Sequence, residues 1–189
     1  MNSDIGVMRR GILAGGSLSN MLRLHLGCGK DVFDGYAGVD IVPGPGVDYV
    51  CDLEAFPWPF EDSSVQEVLM FNTLEHLADT IGTMEELHRI LIPGGLVKIQ
   101  TPYYNSYGAF TDPTHKRFFS EETMDYFTCD GATRLSAYNY YSKARFEVVS
   151  RELLLKNRLL QRLPEKIKLF LGHHFAVISD IRWVLRRPS

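Results

Sequence analysis

Apolar and polar positions alternate in short runs along the first hundred residues, with glycine-rich or polar breaks between them. Runs near 22–26, 36–42, 47–51, 67–72 and 96–101 are strand-like in pattern. Over 80–92 the period lengthens, and Ile81, Met84, Leu87 and Leu91 fall on one helical face. Asp79 or Thr80 caps its start, and Pro93-Gly94-Gly95 ends it. The strands on either side of this helix complete a βαβ unit, expected to cross over with a right hand.

The first half is more compressed. Ten residues lie between Gly29 and Asp40, room for one or two helical turns. Pro43-Gly44-Pro45-Gly46 cannot be helical. A nearly extended link there predicts a short third strand at the sheet edge. Beyond Thr101 the chain turns rich in Tyr, Phe, Asp, Thr and Ser, with Ser120 as the expected cap of a helix near 121–128. A strand over 145–155, a basic amphipathic helix over 156–171 interrupted by Pro164, and a last strand over 175–185 follow.

Composition narrows the class. A chain of 189 residues with 45% hydrophobic and 23% charged residues suggests one ordinary globular domain. Residues 1–20 read as a flexible leader, 21–189 as a single domain, and 102–142 as an insertion within it. The net charge of -3 is uneven: residues 1–142 carry -10, and residues 143–189 carry +7. A solvated basic face is the plainer reading of that tail, and no nucleic-acid partner is expected. No apolar run approaches the ~20 residues of a membrane span. Cys28, Cys51 and Cys129 form no CxxC pair, which fits a reducing cytoplasm.

The chemistry starts at residues 24–29, Leu-His-Leu-Gly-Cys-Gly, where a strand runs into a glycine-x-glycine turn. Gly27 and Gly29 let backbone approach a ligand where a Cβ would collide. Asp40 and Asp52 close later strands, placed to take ribose hydroxyls and an exocyclic amine at the carboxyl ends of a parallel sheet. Leu53 would offer a backbone amide near the base. A nicotinamide fingerprint is disfavoured, because Val32 stands where a third glycine belongs. No phosphate-binding GxxxxGK[ST] loop occurs.

Together the stretches LHLGCGK (24–30), GYAGVDI (35–41), VCDLEAFPWPFEDSSVQEV (50–68), FNTLEHL (71–77) and ELHRILIPGGLVKIQTP (86–102) resemble class I S-adenosylmethionine-dependent methyltransferases. They follow the family's order and look most like a small subgroup with a shortened first helix. The resemblance implies an α/β fold with a Rossmann-like, mostly parallel sheet and an antiparallel C-terminal strand. It implies S-adenosyl-L-methionine as cofactor. Gly27, Cys28 and Gly29 would pass under its methionine part, Asp40 would hold the ribose, and Ile41 would lie against the adenine. Asp52 and Leu53 would recognise the adenine edge, and Asn72 and Thr73 would border the sulfonium. His76 would face the cofactor or support the loop. One departure is His25, at a position often acidic in the family.

A sulfonium methyl is already electrophilic, so alignment and exclusion of water come first, and a base is needed only for an acceptor that loses a proton. His115 is the expected catalytic base, with Asp112 orienting it and Tyr103 or Tyr104 shaping the acceptor pocket. Lys116 and Arg117 would hold an anionic acceptor group. The expected acceptor is a small molecule or a sugar-containing metabolite, methylated on oxygen or nitrogen. Aminopropyl transfer and a catalytically silent scaffold stay open as alternatives. His173-His174 with His115 is a weak ligand set, and no metal is expected. The 156–171 segment is expected to pack on the sheet rather than on an anionic membrane, and the sequence leaves the oligomeric state open.

Overall fold

A computed structural model describes residues 21–129, 133–157 and 159–189; the expected leader over 1–20 lies outside them. Seven strands form one sheet, β1 (Leu22–Leu26), β2 (Ala37–Asp40), β3 (Val47–Val50), β4 (Val65–Phe71), β5 (Leu91–Pro102), β6 (Glu147–Leu155) and β7 (Ile178–Arg186). Their order is β3-β2-β1-β4-β5-β7-β6. The first five run parallel, and β7 is antiparallel to both β5 and β6. The expected Rossmann-like sheet with an antiparallel last strand is therefore present.

Alternation sets the register. Leu24, Leu26, Val39, Val68, Met70, Val97 and Ile99 are fully buried in paired strands, and Trp183 of β7 lies opposite Ile99. A one-residue slip would turn these side chains to the opposite face. Because β1 to β4 are parallel, the residues just past Leu26, Asp40, Val50 and Phe71 gather at one edge of the sheet.

Helix α1 (Thr80–Ile90) buries Thr83, Met84, Leu87 and Ile90 against the sheet, and the Asp79 carboxylate caps it by accepting the Gly82 N–H at 2.8 Å. Ile81 stays partly exposed, so the buried face is rotated from the expected one. Pro93-Gly94-Gly95 belongs to the start of β5: Gly94 has φ +80° and its N–H pairs with the Arg187 carbonyl at 2.9 Å. The strand register shifts there, as a bulge requires.

The space between Gly29 and Asp40 holds turns and no helix. Gly29 and Gly35 have φ of +54° and +80°, conformations that cannot continue a right-handed helix. The Pro-Gly-Pro-Gly link leads to β3, a short edge strand as expected, and the Asp48 carboxylate accepts the Gly38 N–H at 2.9 Å. Residues 52–64 wrap over α1 and are tied down by charge. Glu86 accepts the Trp58 N–H at 2.7 Å, and Arg89 donates to Glu86, to Asp62 and to the carbonyls of Phe60 and Trp58. The Trp58 indole donates to the Leu53 carbonyl at 3.2 Å. That chain of bonds fixes the segment carrying Asp52 and Leu53.

The second half departs more from the pattern. A 3₁₀ turn, Thr123–Phe127, replaces the helix expected near 121–128, and no side chain caps it. A short helix α2 (Tyr107–Thr111) precedes it, capped by Ser106. The basic segment is a 3₁₀ turn, Leu160–Arg162, then helix α3 (Glu165–Phe175), which begins after Pro164 instead of being interrupted by it. Gly172 of α3 packs against Ile178, while Ile167, Phe170 and Phe175 remain exposed. Among the described residues no helix is long and apolar enough to cross a membrane.

Candidate functional site

The residues past β1, β2, β3 and β4 enclose a cavity of about 310 Å³. Gly27, Asp40, Ile41, Asp52 and Leu53 line it on one side, and Asn72, Thr73 and His76 on the other. Cys28 and Gly29 do not line it. Cys28 is buried behind the turn, and Gly29 donates its N–H to the Asp40 carboxylate at 2.8 Å. The second Asp40 oxygen accepts the Val42 N–H at 3.1 Å. Each oxygen keeps a further lone pair for a ligand hydroxyl.

Gly27 has φ +64°, and a Cβ there would lie 2.4 Å from the Thr73 side chain. Thr73 is locked by its hydroxyl, which donates to the carbonyls of Leu26 and Phe71. Asn72 also takes a positive φ of 50° as the chain leaves β4. Asp52 accepts the Glu54 N–H at 2.9 Å, which turns the chain beside Leu53. Ile41 is 61% exposed at the rim, an apolar surface suited to the face of a base. Two carboxylates, a glycine floor and an apolar rim fit an adenosine. Cys51, Glu54 and Leu77 also line the cavity, and their side chains gave no pattern to find them by.

His25 lies outside this cavity, packed edge-on against Phe33 and 6.0 Å from the Phe71 ring, and burial lowers its pKa.

Residues 112–117 are clipped over the single 3₁₀ turn Leu74–His76 beside the cavity. The N–H groups of Lys116 and Arg117 both donate to the Glu75 carbonyl, at 2.8 and 3.1 Å. The Lys116 ammonium pairs with Glu54 at 2.8 Å, holding that carboxyl below its usual range. Arg117 donates to the Ala78 carbonyl. Both cations expected to hold an acceptor anion are thus engaged within the fold.

His115 sits here, but Asp112 does not orient it. The Asp112 carboxylate accepts from the Thr114 N–H at 2.8 Å and its hydroxyl at 2.6 Å, and these bonds lower its pKa. The carboxylate facing His115 is Glu75, 4.0 Å from Nε2. Glu75 is 1% exposed, and burial pushes its pKa up to about 7. The rings of His76 and His115 meet edge-on at 4.7 Å. The Leu-Glu-His stretch contained Glu75 in plain sight; only its burial beside His115 distinguishes it. Tyr103 is fully buried, with its hydroxyl on Glu121 at 2.5 Å, and the Tyr104 hydroxyl bonds His173, so neither lines the cavity.

Residues 24–99 match the family model of a methyltransferase domain. No curated protein sequence matches the chain. Among solved structures, a methyltransferase from Archaeoglobus fulgidus that depends on S-adenosylmethionine superposes with a TM-score of 0.59 at 16% identity, over 88% of this chain and 86% of that one. A second such enzyme, from Mesorhizobium loti, gives 0.54 at 15% identity over 89% and 91%. The cyclase SpnF gives 0.57 at 14% identity over 90% and 75%. At these identities the three likenesses establish the fold. The match to a methyltransferase domain over residues 24–99 includes every residue that lines the cavity.

Proposed function

We propose that the chain is a class I S-adenosylmethionine-dependent methyltransferase that methylates an oxygen or nitrogen of a small-molecule or sugar-containing acceptor, which enters on the side of His115. When bound, the cofactor supplies an electrophilic methyl group on sulfonium sulfur. Asp40 holds the ribose hydroxyls, Asp52 and Leu53 the adenine edge, and Ile41 the adenine face. The turn from Gly27 through Cys28 to Gly29 passes under the methionine part, while Asn72 and Thr73 border the sulfonium. His115 accepts the proton of an acceptor hydroxyl at Nε2, and Glu75 stabilises the resulting imidazolium. Asp112 serves the site from a distance, through Thr114 and His76.

The observation that carries this reading is the contact of His115 with His76, because His76 lines the cofactor cavity. A single domain over 21–189, with 102–142 on the acceptor side and a cytoplasmic setting, completes the proposal. A macromolecular acceptor fits less well, since little surface is left to recognise one.

A methyl-release assay over a panel of hydroxylated and amino metabolites tests it, paired with calorimetry using S-adenosylhomocysteine. The expected result is turnover of at least one acceptor, loss of turnover in His115→Ala, and unchanged S-adenosylhomocysteine affinity in that variant. Binding of S-adenosylhomocysteine without turnover of any acceptor would favour the silent scaffold.

A further inference from the structure

The side chains of Glu75, His76 and His115 converge, and their potential ligand atoms all lie within 4.8 Å of one another. No metal is expected from the sequence, where the set weighed is His115 with His173 and His174. His173 instead bonds Glu121 and Tyr104, and His174 bonds the Phe170 carbonyl.

Hydrogen bonding fixes where the protons are. His115 Nδ1 lies 3.0 Å from the Ala109 carbonyl, which can only accept, so Nδ1 carries the hydrogen and Nε2 a lone pair. The Thr114 hydroxyl donates to Asp112 at 2.6 Å and therefore accepts from His76 Nδ1 at 2.9 Å. His76 Nε2 also carries a lone pair. Both oxygens of the buried Glu75 carboxyl lack any hydrogen-bond partner. Two imidazole lone pairs and an unpartnered carboxyl group thus meet with no hydrogen bond between them. Buried acceptors without donors are costly, and a cation removes that cost. The arrangement also has the outer bonds of a metal centre, in which each ligating histidine gives its other N–H to a carbonyl or to a group backed by a carboxylate.

We infer that Glu75, His76 and His115 bind a divalent transition-metal cation, such as zinc or iron(II), beside the cofactor cavity. Two imidazoles select against magnesium, which prefers oxygen ligands. Tetrahedral zinc with bonds of ~2.0–2.1 Å sets its ligand atoms ~3.4 Å apart. The pairs here, all within 4.8 Å, need to close by no more than about 1.4 Å.

Three protein ligands leave positions for an acceptor hydroxyl, whose proton would be released to solvent instead of to His115. Only this choice of acceptor, a hydroxyl rather than an amine, rests on the methyl-transfer reading. The cation site stands without it.

The test uses cobalt(II) as probe on full-length protein stripped with EDTA. Equilibrium dialysis and visible spectroscopy should find one cobalt per chain, displaced by zinc. His115→Ala and Glu75→Gln should abolish binding. Thr114→Val, an exposed position, keeps the fold but removes the acceptor for His76 Nδ1, and should weaken cobalt by ~10–100-fold. Asp40→Ala should lose S-adenosylhomocysteine and keep cobalt. No stoichiometric cobalt on wild-type protein would overturn the inference, as would equal binding by wild type, Thr114→Val and His115→Ala. Protein that binds S-adenosylhomocysteine but no cobalt leaves the methyl-transfer reading intact, so the two failures are distinguishable.

Discussion

Replacing Gly27 with alanine puts a methyl group where the fold has no room. The residue has φ +64°, and the added Cβ lies 2.4 Å from both Cγ2 and Oγ1 of Thr73. Thr73 cannot swing aside without releasing the Leu26 and Phe71 carbonyls that its hydroxyl holds at 3.2 and 3.1 Å. The left-handed backbone costs an alanine ~1–2 kcal/mol. Pulling the buried hydroxyl from its acceptors adds ~1–3 kcal/mol. A combined loss of roughly 3 kcal/mol lowers the Tm of a domain this size by ~6–12 °C.

Thermal unfolding followed by circular dichroism should be run on wild type, Gly27→Ala, Thr73→Ala and the double variant. Thr73→Ala removes the two nearest atoms and leaves its own Cβ at 3.0 Å, so the double variant recovers most of the steric loss. A favourable coupling of ~1 kcal/mol or more is expected. Strictly additive losses would refute the collision, and an unchanged Tm for Gly27→Ala would refute the backbone argument too. Because Gly27 lines the cavity, the single variant should also bind S-adenosylhomocysteine at least tenfold more weakly, about 1.4 kcal/mol.

Asp40→Ala removes the charged acceptor proposed for the ribose and frees the Gly29 and Val42 N–H groups; S-adenosylhomocysteine affinity should fall more than tenfold, at ~1.5–3 kcal/mol for a bond to a charged group. Calorimetry showing wild-type affinity would remove Asp40 from the site. Arg89→Ala strips buried Glu86 of its charge partner and should cost ~3–5 kcal/mol in denaturant unfolding, with Glu86→Gln restoring part of it. If Arg89→Ala unfolds at the wild-type midpoint, this node does not hold the 52–64 loop. Burial, with Asp52 nearby, pushes the Cys51 thiol up to about 11, so at pH 8 about one molecule in a thousand carries its thiolate. Cys51 should resist Ellman's reagent until the protein unfolds; rapid labelling in the folded state would contradict its burial.

Where neighbours along the chain decide structure, the sequence was readable. Strict alternation located the strands of the first half, and the Gly27 turn with Asp40 and Asp52 marked the cavity, because parallel strands deliver their ends to one edge; Asn72 and Thr73 came from the family resemblance. Where distant residues decide, it was not. Asp112 looked like the partner of His115 three residues on, yet the Thr114 hydroxyl captures its carboxylate. Glu75 reaches His115 only because Lys116 and Arg117 dock on its carbonyl. The helix expected from Ser120 is only a 3₁₀ turn over Thr123–Phe127, although Thr123 Oγ1 accepts the Ser120 N–H as a helix start would. Likewise the basic segment starts its helix at Glu165, since Pro164 suits a helix entrance and not its interior.

The place of β7 between β5 and β6 has a consequence for biosynthesis. A ribosome adding ~5–20 residues per second needs about 2–6 s to travel from the end of β6 at Leu155 to the end of β7 at Arg186. Until β7 arrives, the outer border of β5 is unzipped and β6, whose neighbour in the sheet is β7, has no strand to join. Molecular chaperones that shield such borders would have their work here, and translation speed over these thirty-odd codons would govern how much newly made protein escapes clumping.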